Sequence, residues 1–418
     1  MRRTSTETSR THAGAGRRAS TETSRAHAGA GKGAGAGKET SRAHVGARVL
    51  AGAAAVAAVL VGCAPGQGGD AGSGDTFAAG RSSAATPPGT APTPTPDGTL
   101  LATDFGSDTV TFVDPKHGAL GSVEVGTAPY GLVVGADGRA WVATAEGVAV
   151  VDTRTRERLA LIPYETDTGP VTTGEYRGGG MGIALSPDGG RVYVGVNVPG
   201  GNGTLEVIDT ASREVTDTVP VGRRPFDVDV ARDGSEVYAT GHDSFDVTVV
   251  RADTLAPRRI EVAPYGTEGG LGSWLKPHYA VVRPSDGRLL LPFEGERLAV
   301  VDPRTGRTEI APMTADTHQH GATITADGTL FVVGTGPIDP SEDAGPSLTV
   351  RAPDGAERVY PLEGPHEDVA VSEDGRTAYV TGGFTRDGWW DGITVVDVES
   401  GETRRLAAGE RPLGVAVL

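Results

Sequence analysis

Short segments in which apolar and polar residues alternate recur throughout residues 97–418. In the segment RVYVGVN (191–197), for example, valine stands at every second position. A period of two places alternate side chains on opposite faces of a strand, and Val, Ile, Thr and Tyr are residues that pleated strands favour. The apolar spacing of three and four residues that indicates helical repeats is absent from these segments. The pattern therefore predicts an all-β chain.

An Asp-Gly pair, which favours a tight turn, precedes a β-rich segment in each of seven repeats, 40 to 53 residues apart. The pairs begin at Asp97, Asp137, Asp188, Asp233, Asp286, Asp327 and Asp374. A second aspartate closes the third strand in five repeats, at Asp114, Asp152, Asp209, Asp302 and Asp397. Each repeat is expected to form a four-stranded antiparallel meander, and this period is typical of propeller blades. We therefore predict a seven-bladed β-propeller of four-stranded antiparallel blades over residues 97–418.

The two ends of the repeat region are complementary. The first repeat begins at its Asp-Gly turn and lacks an inner strand, whereas RPLGVAVL (411–418) matches inner-strand segments such as RPFDVDV (224–230) but has no blade after it. We expect this C-terminal strand to supply the inner strand of the first blade. The ring would then be closed without exposed sheet edges.

The repeats resemble the YVTN/YncE-like family of β-propellers across essentially all of residues 97–418. The segments YVTGG (379–383) and YVGVN (193–197) are nearest to that family's signature. The resemblance implies a propeller fold, but propellers host many functions, so the fold alone does not define an activity.

The only cysteine, Cys63, directly follows an apolar run of 14 residues, from Val49 to Gly62. The run is too short to span a bilayer as a helix, which needs roughly 20 residues, but it has the length of a signal-peptide core. LVGC (60–63) resembles a bacterial lipobox, which implies cleavage before Cys63 and lipidation of its thiol. The alternative is a buried apolar segment with an unmodified thiol, which the Pro/Gly-rich sequence after Cys63 disfavours.

Composition divides the chain into three predicted parts. Residues 1–62 form a basic leader, expected to be disordered, with a lipoprotein signal peptide. Residues 63–96 form a tether that is rich first in Gly and Ser and then in Pro and Thr. The propeller of residues 97–418 is acidic, because the whole chain has a net charge of −16 in spite of the basic leader. This charge argues against a nucleic-acid partner, and we expect an exported protein anchored to the outer face of the cytoplasmic membrane.

Histidines concentrate on one face of the predicted ring, which also has the longer loops. This face carries His242, His278, His318, His320 and His366, whereas His117 falls on the opposite face. Four of the five precede three consecutive inner strands, so their side chains are expected to converge at one sector of the channel mouth. The alternative is that such loop histidines only form hydrogen bonds with the backbone.

The residue types in this sector are those that transition metals prefer. His318 and His320 are two positions apart, which places both on one side of an extended segment. With Cys63 acylated no thiolate is left, so a zinc or copper site would use the nitrogen atoms of His278, His318, His320 and His366. Glu367 or Asp368 would add an oxygen ligand, and His242 is a further candidate.

The histidine segments resemble those of propeller zinc chaperones that serve zinc ABC transporters. In that family, histidines that enter successive inner strands bind the metal, and His278, His320 and His366 match that placement. The family's His-rich tracts are missing from this chain. The resemblance implies zinc as the bound metal and a metal transporter, or another surface protein, as the partner.

Two other classes of function stay open. The segment GPHEDVAVSEDGRTAYV (364–380) resembles propeller lactonases, although no nucleophile–base pair is evident. A lactonase or other hydrolase would recruit Arg223, Arg224, Glu294, Glu296, His366 and Glu367. A non-catalytic binding scaffold would instead use exposed aromatic residues as contacts. The aromatic candidates on this face are Tyr176, Trp274, Phe384, Trp389 and Trp390.

Overall fold

The computed structural model describes residues 95–174, 176–262, 276–293, 297–315, 317–336, 345–383 and 388–418. These residues form 28 β-strands in seven four-stranded antiparallel sheets. No helix among them is long and apolar enough to cross a membrane. The leader and tether predicted before residue 95, with Cys63, lie outside the described residues, as do Trp274, Glu294, Glu296 and Phe384.

The first three blades contain the N-terminal strands of the ring and the last strand of the chain. Blade 1 consists of β28 (Pro412–Val417), β1 (Leu100–Asp104), β2 (Thr109–Asp114) and β3 (Gly118–Glu124). Blade 2 consists of β4 (Leu132–Val134), β5 (Arg139–Ala143), β6 (Gly147–Asp152) and β7 (Glu157–Pro163). Blade 3 consists of β8 (Gly179–Leu185), β9 (Arg191–Asn197), β10 (Thr204–Asp209) and β11 (Glu214–Pro220).

The other four blades follow in chain order. Blade 4 consists of β12 (Pro225–Val230), β13 (Glu236–Gly241), β14 (Asp246–Arg251) and β15 (Pro257–Glu261). Blade 5 consists of β16 (Val281–Val282), β17 (Leu289–Phe293), β18 (Arg297–Asp302) and β19 (Arg307–Pro312). Blade 6 consists of β20 (Gln319–Ile324), β21 (Leu330–Gly334), β22 (Ser347–Arg351) and β23 (Glu357–Pro361). Blade 7 consists of β24 (Val369–Val371), β25 (Thr377–Thr381), β26 (Ile393–Asp397) and β27 (Thr403–Leu406).

The seven inner strands form a closed ring in which each contacts the next, and β24 of the last blade contacts β28 of the first. Closure depends on the antiparallel pairing of β28 with β1, in which Leu100 lies opposite Val417 and Ala102 lies opposite Val415. The structure thus confirms the predicted seven-bladed propeller and its closure by the C-terminal strand.

Both aspartates of the repeat have a structural role in turns. In six of the seven Asp-Gly turns the carboxylate accepts a hydrogen bond from the backbone amide two residues on, as Asp137 Oδ1 does from the Arg139 amide. The glycine has a φ between +69° and +91° in all seven repeats, a conformation that other residues rarely adopt. At the end of the third strand, Asp152 Oδ1 likewise accepts hydrogen bonds from the amides of Arg154 and Thr155. The repeated Asp-Gly pairs and strand-end aspartates therefore specify the turns between the strands.

Small residues allow the inner strands to approach each other closely around the axis. A Cβ atom on Gly182 would lie 2.4 Å from the Cα of Asp227 in the next blade, and one on Gly321 would lie 2.5 Å from the Cα of Asp368. Next to these closely packed inner strands, larger side chains fill the mouth of the channel. Phe105, Ala128, Tyr130, Met181, Phe226 and Leu413 form one buried cluster with Tyr279 packed against it, which we call the axial plug.

Asp104, at the end of β1, is a fully buried acid. Burial raises its pKa to about 7, against the opposing effect of hydrogen bonds from Thr111 and Thr109. The folded state binds this proton more tightly than the unfolded state does, so protonation of Asp104 stabilises the fold. This stabilisation is complete below about pH 4. It is lost as the pH rises through about 7.

We expect Asp104→Asn to remove this part of the pH dependence of stability, since asparagine has the same shape and stays neutral. The free energy of unfolding of the variant, relative to that of the wild type, should increase between pH 5 and pH 8. Urea unfolding of both proteins at the two pH values measures the difference. An unchanged difference would show that Asp104 does not titrate in this range.

Candidate metal centre

Four histidines from three consecutive blades lie together beside the axial plug. His242 follows β13 in blade 4, His278 precedes β16 in blade 5, and His318 and His320 lie at the start of β20 in blade 6. Their relative exposures are only 3 to 6%. The cluster is therefore shielded from bulk water, and three short segments next to inner strands position its four imidazoles.

Three of these imidazoles have the spacing of metal ligands. One nitrogen from each of His278, His318 and His320 lies within 4.8 Å of the others. The rings of His278 and His320 stack with centroids 4.1 Å apart, and the His318 and His320 rings are 4.4 Å apart. Ligand nitrogens on a tetrahedral zinc ion are roughly 3.3 Å apart, so rotation of these side chains would have to bring the nitrogens closer together to complete a site. It is the one such group found within the described ranges of the chain.

Among the described residues, two buried nitrogen atoms of the cluster have no hydrogen-bond partner, namely Nδ1 of His278 and Nε2 of His320. Nδ1 of His320 lies 3.2 Å from Glu367 Oε1 but lacks hydrogen-bond geometry. A buried polar atom without a partner costs free energy, and natural proteins contain few. A bound metal ion would satisfy these nitrogens, which is the strongest indication that the donor set fits such an ion.

Electrostatics keep His242 and His278 in the form that binds metals. Burial lowers the pKa of His278 well below its usual value, and the neighbouring imidazoles and Lys276 add to the effect. Burial likewise lowers the pKa of His242 to about 4, even though the Asp243 carboxylate acts in the opposite direction. Both imidazoles are therefore neutral at pH 7, as metal coordination requires.

A carboxylate stands at each end of the cluster. Glu367 Oε1 lies 3.2 Å from His320 Nδ1 and accepts a hydrogen bond of 3.4 Å from the hydroxyl of Tyr279. At the other end, Asp243 Oδ1 lies 2.9 Å from His242 Nδ1. Glu367 is buried, and its Oε2 atom has no hydrogen-bond partner among the residues that the structure describes. Glu367 is thus placed either to ligate a metal or to orient His320.

The axial plug separates the cluster from the channel below. Phe226 contacts the rings of His242 and His278 at centroid distances of 5.3 Å. Beneath the plug is a cavity of about 380 Å³ on the propeller axis, lined by inner strands that include Asp227, Asp229 and Asp368. None of the four histidines lines this cavity, so the cluster and the cavity are distinct environments.

The structure does not bring His366 into the histidine cluster. Its Nδ1 lies 2.8 Å from the carbonyl oxygen of Gly364, and its Nε2 lies 2.8 Å from the hydroxyl of Thr394. Its ring packs against Trp390. Both nitrogens are therefore engaged in hydrogen bonds, which is the backbone-and-side-chain role that a loop histidine can have without a metal.

The residues considered for a lactonase have separate neighbours. Arg224 forms an ion pair of 2.8 Å with Asp243 and lies over the ring of Tyr176. His366 bonds to Thr394 in blade 7, whereas Glu367 faces His320. Of the aromatic candidates for a scaffold, Tyr176 and Trp389 are about half exposed, and Trp390 lies beneath the guanidinium of Arg405.

Asp243 was not among the residues predicted from the sequence, although it directly follows His242. An adjacent His-Asp pair is too common to indicate a site by itself. Only the fold shows that Arg224 and Lys276 converge on this carboxylate, with Lys276 Nζ 3.1 Å from its Oδ1. Burial would raise the pKa of Asp243, but the hydrogen bond from His242 and these charges outweigh burial and lower it.

Comparison with known proteins identifies the architecture. No protein-family model and no curated protein sequence matches the chain. Among solved structures, hydrazine synthase of Kuenenia stuttgartiensis is similar with 18% identity and a TM-score of 0.56, over 77% of this chain and all of that one. The periplasmic gluconolactonase of Pseudomonas aeruginosa is similar with 17% identity and a TM-score of 0.55, over 77% of this chain and 99% of that one. A protein of unknown function from Desulfotomaculum acetoxidans has 10% identity and a TM-score of 0.57, over 77% and 98%. At these identities, the comparisons show a shared propeller fold.

His366→Ala should destabilise the protein without changing its metal uptake. The substitution removes two hydrogen bonds from a fully buried site and leaves a cavity, which costs about 2–4 kcal/mol. Urea unfolding measures the stability, and metal analysis after dialysis measures uptake. A variant of unchanged stability that takes up less metal would instead identify His366 as a ligand.

Proposed function

We propose that this propeller is a transition-metal-binding protein that holds one Zn²⁺ or Cu²⁺ ion through His278, His318 and His320. The observation that carries the proposal is the convergence of three buried imidazoles whose ligand nitrogens lie within 4.8 Å of one another. In addition, one nitrogen each of His278 and His320 has no hydrogen-bond partner within the described ranges. The ligands come from separate segments, and the folded ring holds them together before the metal arrives. Such preorganisation is typical of a binding site.

The chemistry of the donor set favours zinc and copper over other biological metals. Neutral imidazole nitrogen suits Zn²⁺ and Cu²⁺, whereas Ca²⁺ and Mg²⁺ require several oxygen ligands. The nearby Glu367 carboxylate would balance part of the charge of a divalent ion. Three protein ligands leave a fourth position for Glu367, for water or for a group from a partner.

A binding role accounts for the site better than hydrolysis. The gluconolactonase of Pseudomonas aeruginosa shares the fold with this chain, but the candidate lactonase residues Arg224, His366 and Glu367 have different neighbours here. In this proposal, the protein acts outside the cytoplasmic membrane, and its partner is a metal transporter or another surface protein.

Titration of untagged, chelator-treated protein with Zn²⁺ and with Cu²⁺ tests the metal site. We expect about one ion per chain, and we expect His320→Ala to weaken binding by more than about 100-fold, since even neighbours of ligands contribute 10- to 100-fold. Free metal at 100 times the Kd should raise the stability by about 2.7 kcal/mol.

His117→Ala is the matched control, because His117 is exposed in a turn between β2 and β3. Equal binding by the wild type and both variants would refute the site. Turnover of a sugar lactone that survives chelation and His320→Ala would support the hydrolase alternative.

We also propose that Cys63 anchors the protein to the membrane through an attached lipid. Support comes from the apolar run that ends at Gly62 and from the Gly/Ser/Pro/Thr-rich sequence that follows Cys63. A lipid on one cysteine and a tether of about thirty residues would leave the propeller exposed to the extracytoplasmic space.

Cys63→Ser should abolish lipidation and leave the protein unprocessed or released into the medium. Fractionation of the producing cells, with metabolic labelling by a fatty acid, measures the outcome. If the variant still sediments with membranes and migrates as the mature protein, the anchor lies elsewhere.

A further inference from the structure

We propose that His242 is not a metal ligand but the middle member of a hydrogen-bond relay, Asp243–His242–His278, that fixes the tautomer of His278. The relay would leave Nδ1 of His278 with a free lone pair for the metal. The role of this lone pair rests on the proposed metal-binding function, whereas the relay itself is a property of the metal-free protein.

The relay begins at Asp243, which can only accept hydrogen bonds. Arg224 Nη2 lies 2.8 Å from its Oδ2, and Lys276 Nζ lies 3.1 Å from its Oδ1. These two positive charges hold the carboxylate in its ionised form. Since Asp243 Oδ1 is 2.9 Å from His242 Nδ1, that nitrogen must carry the proton. Arg224 Nη1 is also near Nδ1, but at 3.4 Å, so the shorter contact with the carboxylate decides the tautomer.

The second step follows from the single proton of a neutral imidazole. His242 is buried, and Arg224 and Lys276 already balance the charge of Asp243. A neutral imidazole with its proton on Nδ1 has Nε2 as an acceptor. Its partner is Nε2 of His278 at 3.1 Å, which must therefore be the donor. The same rule applied to His278 leaves its Nδ1 without a proton. This is the buried atom for which the described part of the chain supplies no hydrogen-bond partner.

The position of His242 agrees with an orienting role. Its imidazole is outside the group of three whose nitrogens lie within 4.8 Å of each other, and its Nε2 lone pair already faces His278. A histidine ligand generally donates its second ring proton to a carboxylate or carbonyl group, which orients the ring and raises its basicity. Here a second histidine lies between the ligand and the carboxylate, so Asp243 and His242 are positioning residues.

Two substitutions of His242 distinguish a relay from a ligand. His242→Gln retains an oxygen that can accept from His278 Nε2–H, so zinc affinity should stay within a few-fold of the wild type. His242→Leu has no acceptor, so affinity should fall 10- to 100-fold. Zinc titration measures both affinities, with His117→Gln as the control. Cu²⁺-loaded samples should show the same number of imidazole nitrogens in electron paramagnetic resonance for both variants as for the wild type.

Nitrogen-15 NMR of the metal-free wild type tests the relay without any substitution. His278 should be protonated at Nε2 and His242 at Nδ1, and addition of Zn²⁺ should shift the Nδ1 resonance of His278. The opposite tautomer of either ring overturns the relay, as does wild-type affinity in His242→Leu. A loss of one coordinated nitrogen in His242→Gln would overturn it by making His242 a ligand. If the tautomers are as expected but no metal binds, the proposed function fails and the relay stands.

Discussion

The pairing of β28 with β1 is the interaction on which the rest of the structure depends. It joins the two ends of the propeller within one sheet, so that Leu100 and Val417 lie opposite each other although they are far apart in sequence. An open ring would expose two sheet edges and would allow the blades to splay. Closure fixes the spacing of the inner strands, and that spacing determines which side chains meet at the channel mouth.

Close packing around the axis has a direct consequence for the site. Glycine and other small residues bring neighbouring inner strands together, and Tyr130, Phe226 and Tyr279 belong to the packing that closes the mouth. The histidines therefore lie against aromatic rings and not against the water of the channel. In this environment burial lowers the pKa of His242 and His278, which keeps both imidazoles neutral.

A cluster of buried imidazoles carries an energetic cost. Polar nitrogens without partners destabilise a folded protein, and partly satisfied polar networks are less favourable than an apolar core. The carboxylates of Asp243 and Glu367 offset part of this cost at the two ends of the cluster. Nδ1 of His278 and Nε2 of His320 have no such compensation among the described residues, and the cation that we propose would provide it. The well-packed ring thus holds in place a polar cluster that could bind a metal ion.

The fold was predictable from the sequence because local interactions specify it. Alternating Val and Tyr define strands, and the Asp-Gly pairs encode turns through an aspartate side chain and a glycine with positive φ, as at Asp137 and Gly138. The strand-like segment at 411–418 likewise identified the closing strand. The face that carries the histidines also followed from the phase of the repeat.

The composition of the site depended on tertiary structure. His278 and His366 both directly precede inner strands, so the sequence does not distinguish them. In the structure, His278 contacts an imidazole of the neighbouring blade, whereas His366 forms hydrogen bonds with Gly364 and Thr394. The link from Asp243 to His278 likewise crosses between blades. The sequence by itself determined the strands, the turns and the histidine-bearing face, because these arise from neighbours along the chain. Only the tertiary structure decided which imidazoles converge, because blade-to-blade packing sets the direction and partners of each ring.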